Sequence, residues 1–155
     1  MNNIIKFILS VLLPVIIWAI SGFATNDAIN GWYTTLEKPF FNPPNWLFWP
    51  VWSILYILIW IAFFIVWKNN FWKNSFQTKI IYFSQLFFNF TWSFSFFYFE
   101  SPLLGLINIF ILWILIALNI KYFYKINKTA WIILVPYLAW VSFASALNAA
   151  IFLLN

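Results

Sequence analysis

The sequence predicts an all-α membrane protein, a bundle of five transmembrane helices. Three observations carry that prediction. Of 155 residues, 65% are hydrophobic and 7% are charged, against about a quarter charged in an ordinary soluble domain. Five apolar stretches, near 4–22, 45–67, 78–99, 103–124 and 131–154, match the roughly 20 residues that a helix needs to cross a hydrocarbon core about 30 Å thick. Strands of a membrane barrel would be about 10 residues long and alternating. These runs are neither, so each has to satisfy its own backbone as a helix.

The first stretch has Lys6 ahead of an apolar run and Gly22-Phe23-Ala24 behind it, which imitates a secretory leader. The run is long for a leader and holds Pro14 and Trp18, so it reads as a span. Residues 23–44 then read as an external loop, ending in the stretch around which the chain is organised: WYTTLEKPFFNPPNWLFWPVWSILY, Trp32 to Tyr56. Pro39, Pro43 and Pro44 hold this approach extended, because proline fixes its own φ and keeps its predecessor out of the helical region. Asn45 is the expected cap of the second span. A stiff aromatic loop feeding a membrane helix reads as a lid over a pocket. The 68–77 link is polar and basic, Glu100-Ser101-Pro102 is a tight turn, and 125–130 is short and basic. The whole chain, 1–155, reads as one domain without repeats.

Charge sets topology. With five spans, Lys6, Lys68, Lys73, Lys79, Lys121, Lys125 and Lys128 fall on one side. Lys38 falls on the other, with the three acids Asp27, Glu37 and Glu100. The positive-inside rule then predicts a cell-membrane protein with a cytoplasmic amino terminus and an extracellular carboxyl terminus. The net charge of +5 is therefore topogenic, and the bilayer, not a nucleic acid, is the expected environment.

The inventory also excludes chemistry. With no Cys and no His, there is no thiolate and none of the commonest metal ligand or general base; neither a metal nor a resident cofactor is expected. The 21 phenylalanines, in a chain without arginine, include generic apolar filler. Twelve tryptophans are a real excess.

Helical phase gathers the informative residues. Trp49, Trp52, Tyr56, Trp60, Phe63 and Trp67 share one face of the second span by three-and-four spacing. Gln85, Asn89, Trp92 and Phe96 do so on the third. Trp140, Ala144 and Asn148 recur every fourth residue on the fifth, drifting about 40° per step. Trp49, Trp52, Asn89, Trp92, Trp140, Ala144 and Asn148 come to similar depth beneath the loop. The alternatives are structural. Trp46, Trp67, Trp72 and Trp131 sit where an interfacial aromatic belt is expected, Trp60 and Trp113 suit core packing, and Asn89 and Asn148 suit interhelical hydrogen bonds. Taken together, the cluster predicts a site for a flat, amphipathic molecule, with indole faces for stacking and amides to orient a polar edge. Lys38 and Tyr33 could meet a carboxylate at its mouth. Without His or Cys as an axial ligand, a metal-free ring suits the residues better than haem.

WYTTLEKPFFNPPNWLFWPVWSILY, NFTWSFSFF at 89–97 and PYLAWVSFASALN at 136–148 together resemble the translocator protein family, also known as the tryptophan-rich sensory proteins or peripheral-type benzodiazepine receptors. The resemblance spans all five stretches. It implies a five-helix bundle that binds porphyrins, notably protoporphyrin IX, in a pocket closed by the first loop. Carried over by position, it assigns Trp52 and Trp140 as pocket tryptophans, Asn89 and Trp92 to the third-helix motif, Tyr33 to the lid and Ala144 to the pocket wall. It also implies that a light-driven porphyrin-degrading activity, if present, would rest on Trp52 and Trp140. The cholesterol-recognition pattern of animal relatives is missing, since no basic residue follows Lys128.

The expected ligand-binding set is thus Tyr33, Lys38, Trp49, Trp52, Tyr56, Asn89, Trp92, Trp140, Ala144 and Asn148. The expected function is a porphyrin sensor or scavenger. A light- and oxygen-dependent porphyrin-degrading enzyme is the alternative. A transporter of amphipathic molecules ranks third, because no buried charge lies in the spans and only Pro14, Pro50 and Pro136 could break them. Without a G-x-x-x-G seam on the third span, the choice between monomer and homodimer stays open.

Overall fold

The computed structural model describes residues 2–69, 71 and 75–155, without the side chain of Ala24. The expected belt residue Trp72 and the topogenic Lys73 lie outside the described residues. Helix α1 spans Asn3–Asn30, α2 Trp32–Thr35, α3 Phe48–Lys68, α4 Phe76–Ser93, α5 Pro102–Ile126 and α6 Lys128–Leu154. A 3-10 turn, Asn45–Leu47, leads into α3, and a π-helical segment, Phe94–Tyr98, prolongs α4. No strand occurs among the described residues. Among the described residues, four stretches are long and apolar enough to cross a membrane: α1, Asn45–Lys68, α5 and α6. Helix α4 is shorter, at 18 residues, and is diluted by Thr78, Lys79, Gln85, Asn89 and Thr91. Of these, Thr78, Gln85 and Asn89 are buried against other helices.

The long helices close into a ring in the order α1, α3, α6, α5, α4, with the π segment touching both α1 and α5. Outward positions are apolar and exposed, as on Ile4, Ile8, Leu12, Ile107 and Ile114, which is the arrangement lipid requires. Helix starts are capped from the sequence. Asn2 accepts from Ile4 N at 3.3 Å, Ser101 from Leu104 N at 3.3 Å and Asn127 from Thr129 N at 2.8 Å, each satisfying an otherwise orphaned amide. Glu100, at φ 50° in the left-handed region, makes the sharp reversal between the π segment and α5.

The loop is shorter than expected. Helix α1 continues through 23–30, because its polar residues bond back along the helix instead of breaking it. Thr25 Oγ1 donates to Ser21 O at 2.8 Å and Asn30 Nδ2 to Asn26 O at 3.2 Å. Gly31 then caps the end, its N–H donating to Asp27 O at 3.0 Å. With α2 following directly, only 36–44 remain as the extended, proline-rich segment. Asn45 does not cap α3: its side-chain amide donates to Ile29 O at 3.4 Å and ties the loop's end to α1, while Leu47 takes the cap position without a side-chain bond. Trp67 is buried against Phe63, ring centroids 5.2 Å apart, and so belongs to the core and not to a belt. Trp46 is exposed.

Candidate functional site: two aromatic cavities beneath the loop

Three rings stand face to face in the middle of the bundle. Trp52 of α3 lies 5.8 Å from Trp92 of α4 at an interplanar angle of 29°, and Trp92 lies 5.8 Å from Phe96 at 20°. The π segment turns both Phe96 and Phe97 inward, and Phe97 meets Trp92 edge-on at 83°. Rings in such stacked and edge-to-face pairs contribute about 0.5–1.5 kcal/mol each beyond the area they bury.

The stack divides the space under the loop. On one side, α1, α3 and α4 enclose about 540 Å³ of empty space, its open mouth included, lined by Trp18, Ser21, Gly22, Thr25, Ile29, Trp49, Tyr56, Asn89 and Ser93. On the other, α6 and α2 face α4 across about 340 Å³, its open mouth likewise included, lined by Tyr33, Phe96, Trp140, Ala144, Leu147, Asn148 and Ile151. Phe48, Trp52, Trp92 and Phe97 line both. The glycine at position 22 has a steric reason: a Cβ there would stand 2.7 Å from Trp49 Cη2. The end of the Trp49 indole thus lies against α1, with Trp18 edge-on to it at 5.8 Å.

Beneath the rings runs a chain of buried polar groups. Tyr56 donates to Asn89 Oδ1, Asn89 Nδ2 donates to Tyr137 Oη at 2.6 Å, and Gln85 Nε2 donates to the same oxygen at 3.1 Å. Asn119 Nδ2 continues the chain to Gln85 Oε1 at 3.2 Å. Asn148 is also engaged. It accepts from Trp92 Nε1 at 3.4 Å and donates to Pro102 O at 2.8 Å, while Gly105 keeps α5 close enough that a Cβ there would sit 2.8 Å from Asn148 Oδ1. Six buried side-chain groups stay without a partner at hydrogen-bonding geometry among the described residues, Ser21 Oγ, Trp60 Nε1, Tyr82 Oη, Asn108 Oδ1, Asn119 Oδ1 and Trp140 Nε1, and two of them belong to residues that line a cavity. Ser21 Oγ, beside the Tyr56 hydroxyl, lines the α1-side cavity, and Trp140 Nε1 belongs to a residue lining the α6-side cavity. A buried donor without an acceptor forfeits about 1–3 kcal/mol, a cost that a molecule reaching either group would recover in part.

Nine of the ten residues expected at the site line one cavity or both. Trp49, Tyr56 and Asn89 face the α1 side, Tyr33, Trp140, Ala144 and Asn148 the α6 side, and Trp52 and Trp92 stand between. The exception is Lys38. Its Nζ donates to Leu36 O at 3.0 Å and Thr34 O at 3.4 Å and sits 5.0 Å from the Tyr33 ring centroid, so it holds the loop together and lines neither cavity. The contribution of α1 escaped the sequence reading, although Trp18, Ser21, Gly22, Thr25 and Ile29 follow helical three-and-four spacing. Tyr137, the acceptor on which the polar chain turns, was overlooked within PYLAW because a tyrosine in an aromatic-rich helix gives no sign of its partners.

The loop is fastened over the α6 side. Asn155 clasps Glu37 from both directions, its Oδ1 accepting from Glu37 N and its Nδ2 donating to Glu37 O, each at 3.0 Å. Phe41 meets Phe143 at 6.2 Å, and Phe143 meets Trp140 at 5.3 Å. Tyr33, 1% exposed, donates to Asn42 Oδ1 at 2.6 Å.

Comparison with known proteins gives a consistent answer. Residues 10–154 match the family model of the TspO/MBR family. The chain is 47% identical over 153 residues to the tryptophan-rich protein TspO of Archaeoglobus fulgidus, covering 99% of each chain. It is 44% identical to the protein of the same name in Chlorobaculum tepidum, covering 97% of this chain and 98% of the other. The tryptophan-rich sensory protein of Cereibacter sphaeroides is 33% identical over 124 residues, 80% of this chain and 77% of that one.

Burial pushes the Tyr33 hydroxyl up from its ordinary value near 10 to about 12. A raised value means that loop closure is at full strength below pH 10 and is lost as pH rises towards 12, where the opened state gives up its proton first. Proteolysis of the 36–44 segment is expected to accelerate between pH 10 and 12 in the parent. Replacing Tyr33 by Phe should remove most of that step, and an unchanged alkaline step would assign it to another group.

Proposed function

The chain belongs to the TspO/MBR family of multi-pass membrane proteins, and we propose that it binds a metal-free tetrapyrrole such as protoporphyrin IX as a sensor or scavenger. The observation that carries this reading is the Trp52–Trp92–Phe96 stack, set between cavities that hold Ser21 Oγ and Trp140 as waiting polar contacts. Flat aromatic surface suits a planar ring, and a few unpaired donors suit its polar edge. The sensory name of the Cereibacter sphaeroides relative fits a detector. The amides contribute indirectly in this reading: Asn89 holds Tyr56 and Tyr137 in place, and Asn148 holds Trp92.

The same proposal includes the topology. Helix α4 and the π segment run together from Phe76 to Tyr98, roughly 30 Å of rod at about 1.5 Å per residue, enough for a fifth crossing once its polar face is turned inward. The lysine distribution favours an amino terminus in the cytoplasm and a loop outside.

Titration with protoporphyrin IX should quench tryptophan fluorescence to saturation in the parent. Trp52→Phe combined with Trp140→Phe should weaken binding roughly tenfold, given about 0.5–1.5 kcal/mol for each aromatic contact; affinity equal to the parent's would place the ligand elsewhere. Independently, a periplasm-active reporter fused after Asn155 is expected to be active, and activity of a cytoplasm-only reporter there would reverse the topology.

A further inference from the structure

The wall between the two cavities is built from Phe48, Trp52, Trp92 and Phe97, and its two indoles are held very differently. Trp92 is 7% exposed, stacked on Phe96, met edge-on by Phe97 and hydrogen-bonded through Nε1 to Asn148. Trp52 is half-buried and its ring touches Trp92 and, at 6.2 Å and 41°, Tyr56. No hydrogen bond ties its indole among the described residues. Tryptophan side chains move between discrete staggered rotamers, and two ring contacts, to Trp92 and Tyr56, are a restraint that a stacked ligand can replace. Each cavity is also lined by a residue whose buried polar group has no well-aligned partner among the described residues: Ser21, against the Tyr56 hydroxyl, on the α1 side, and Trp140 on the α6 side. Two separate anchors mean that neither cavity depends on the other for a polar contact.

We infer that Trp52 is a movable partition that makes this site two subsites for small planar molecules and one site for a large planar ring. With Trp52 against Trp92, each cavity takes its own one- or two-ring aromatic ligand carrying a single hydroxyl or carbonyl. A ring system wider than one cavity binds by swinging Trp52 off Trp92 and lying across both. The tetrapyrrole half of this statement rests on the function proposed above; the small-ligand half does not. Ligand size, read by one side chain, then decides both stoichiometry and the position of Trp52, and only the large ligand gives a conformational signal.

The test uses the full chain in lipid nanodiscs with two probes, 1-naphthol and protoporphyrin IX, and reads NMR cross-peaks. Two naphthols should bind per chain, one contacting the Thr25 methyl and the other the Ala144 methyl, with the Trp52–Trp92 ring cross-peak retained. Protoporphyrin should bind once, abolish that cross-peak and displace both naphthols. In Trp52→Ala, at unchanged helical content, naphthol should exchange rapidly between the two methyls. The partition is overturned by one naphthol per chain touching both methyls, by naphthol entering neither cavity, or by bound protoporphyrin that leaves the Trp52–Trp92 cross-peak intact. Failure of protoporphyrin to bind at all would sink the proposed function, while the naphthol arm would still decide for or against two subsites.

Discussion

Tyr137 Oη accepts from Gln85 and Asn89, Asn89 accepts from Tyr56, and Asn119 donates to Gln85. Through this one chain α3, α4, α5 and α6 are bound to each other at the middle of the bundle. In a bilayer the apolar surfaces that hold a soluble core together gain little by leaving lipid, so specificity passes to close packing and to polar groups that have no water to turn to. Each bond of this kind contributes only about 1 kcal/mol, but together they fix rotation and register: slide α4 by one residue and Gln85, Asn89 and Trp92 all lose their partners.

That register is what brings the rings together. Asn89 on the Tyr56–Tyr137 chain and Trp92 on Asn148 are one helical turn apart, so fixing one fixes the other. The π segment then turns Phe96 and Phe97 onto the same indole, and Gly22 and Gly105 let Trp49 and Asn148 approach their neighbouring helices where a methyl group would collide. The outer end is closed by an extended loop whose fastenings are local: the Asn155 clasp on Glu37, the Tyr33 bond to Asn42 and Lys38 folded back onto its own backbone. A loop held by a few exposed hydrogen bonds opens more readily than the packed helices below it, which suits the cover of a binding site.

Much of this was legible in the sequence because membrane helices obey a strict period and a strict length. The shared faces of Trp52 and Tyr56, of Gln85, Asn89 and Trp92, and of Trp140, Ala144 and Asn148 follow from spacing alone. What spacing could not show is pairing. Asn89 and Asn148 are amides at the right depth whichever partner they take, and here both carry helix-to-helix bonds. Lys38 looked like a free cation because sequence does not reveal that a short loop offers its carbonyls to its own lysine. The end of α1 was misplaced because Thr25 and Asn30, which usually favour turns, instead bond back to the helix, and Gly22 serves a neighbouring tryptophan instead of a break. The division of the site into two cavities depends on ring orientation, which no residue pattern encodes.

The central claim is that a flat ring is held among indoles inside the bundle. Protoporphyrin IX has no handedness of its own, so induced circular dichroism in its main absorption band reports a chiral, ordered surrounding directly. The account predicts a band that saturates at one ring per chain in reconstituted membranes and fades when Trp140 is replaced by Ala. A band absent from the parent, or equally strong in membranes lacking the protein, would contradict it.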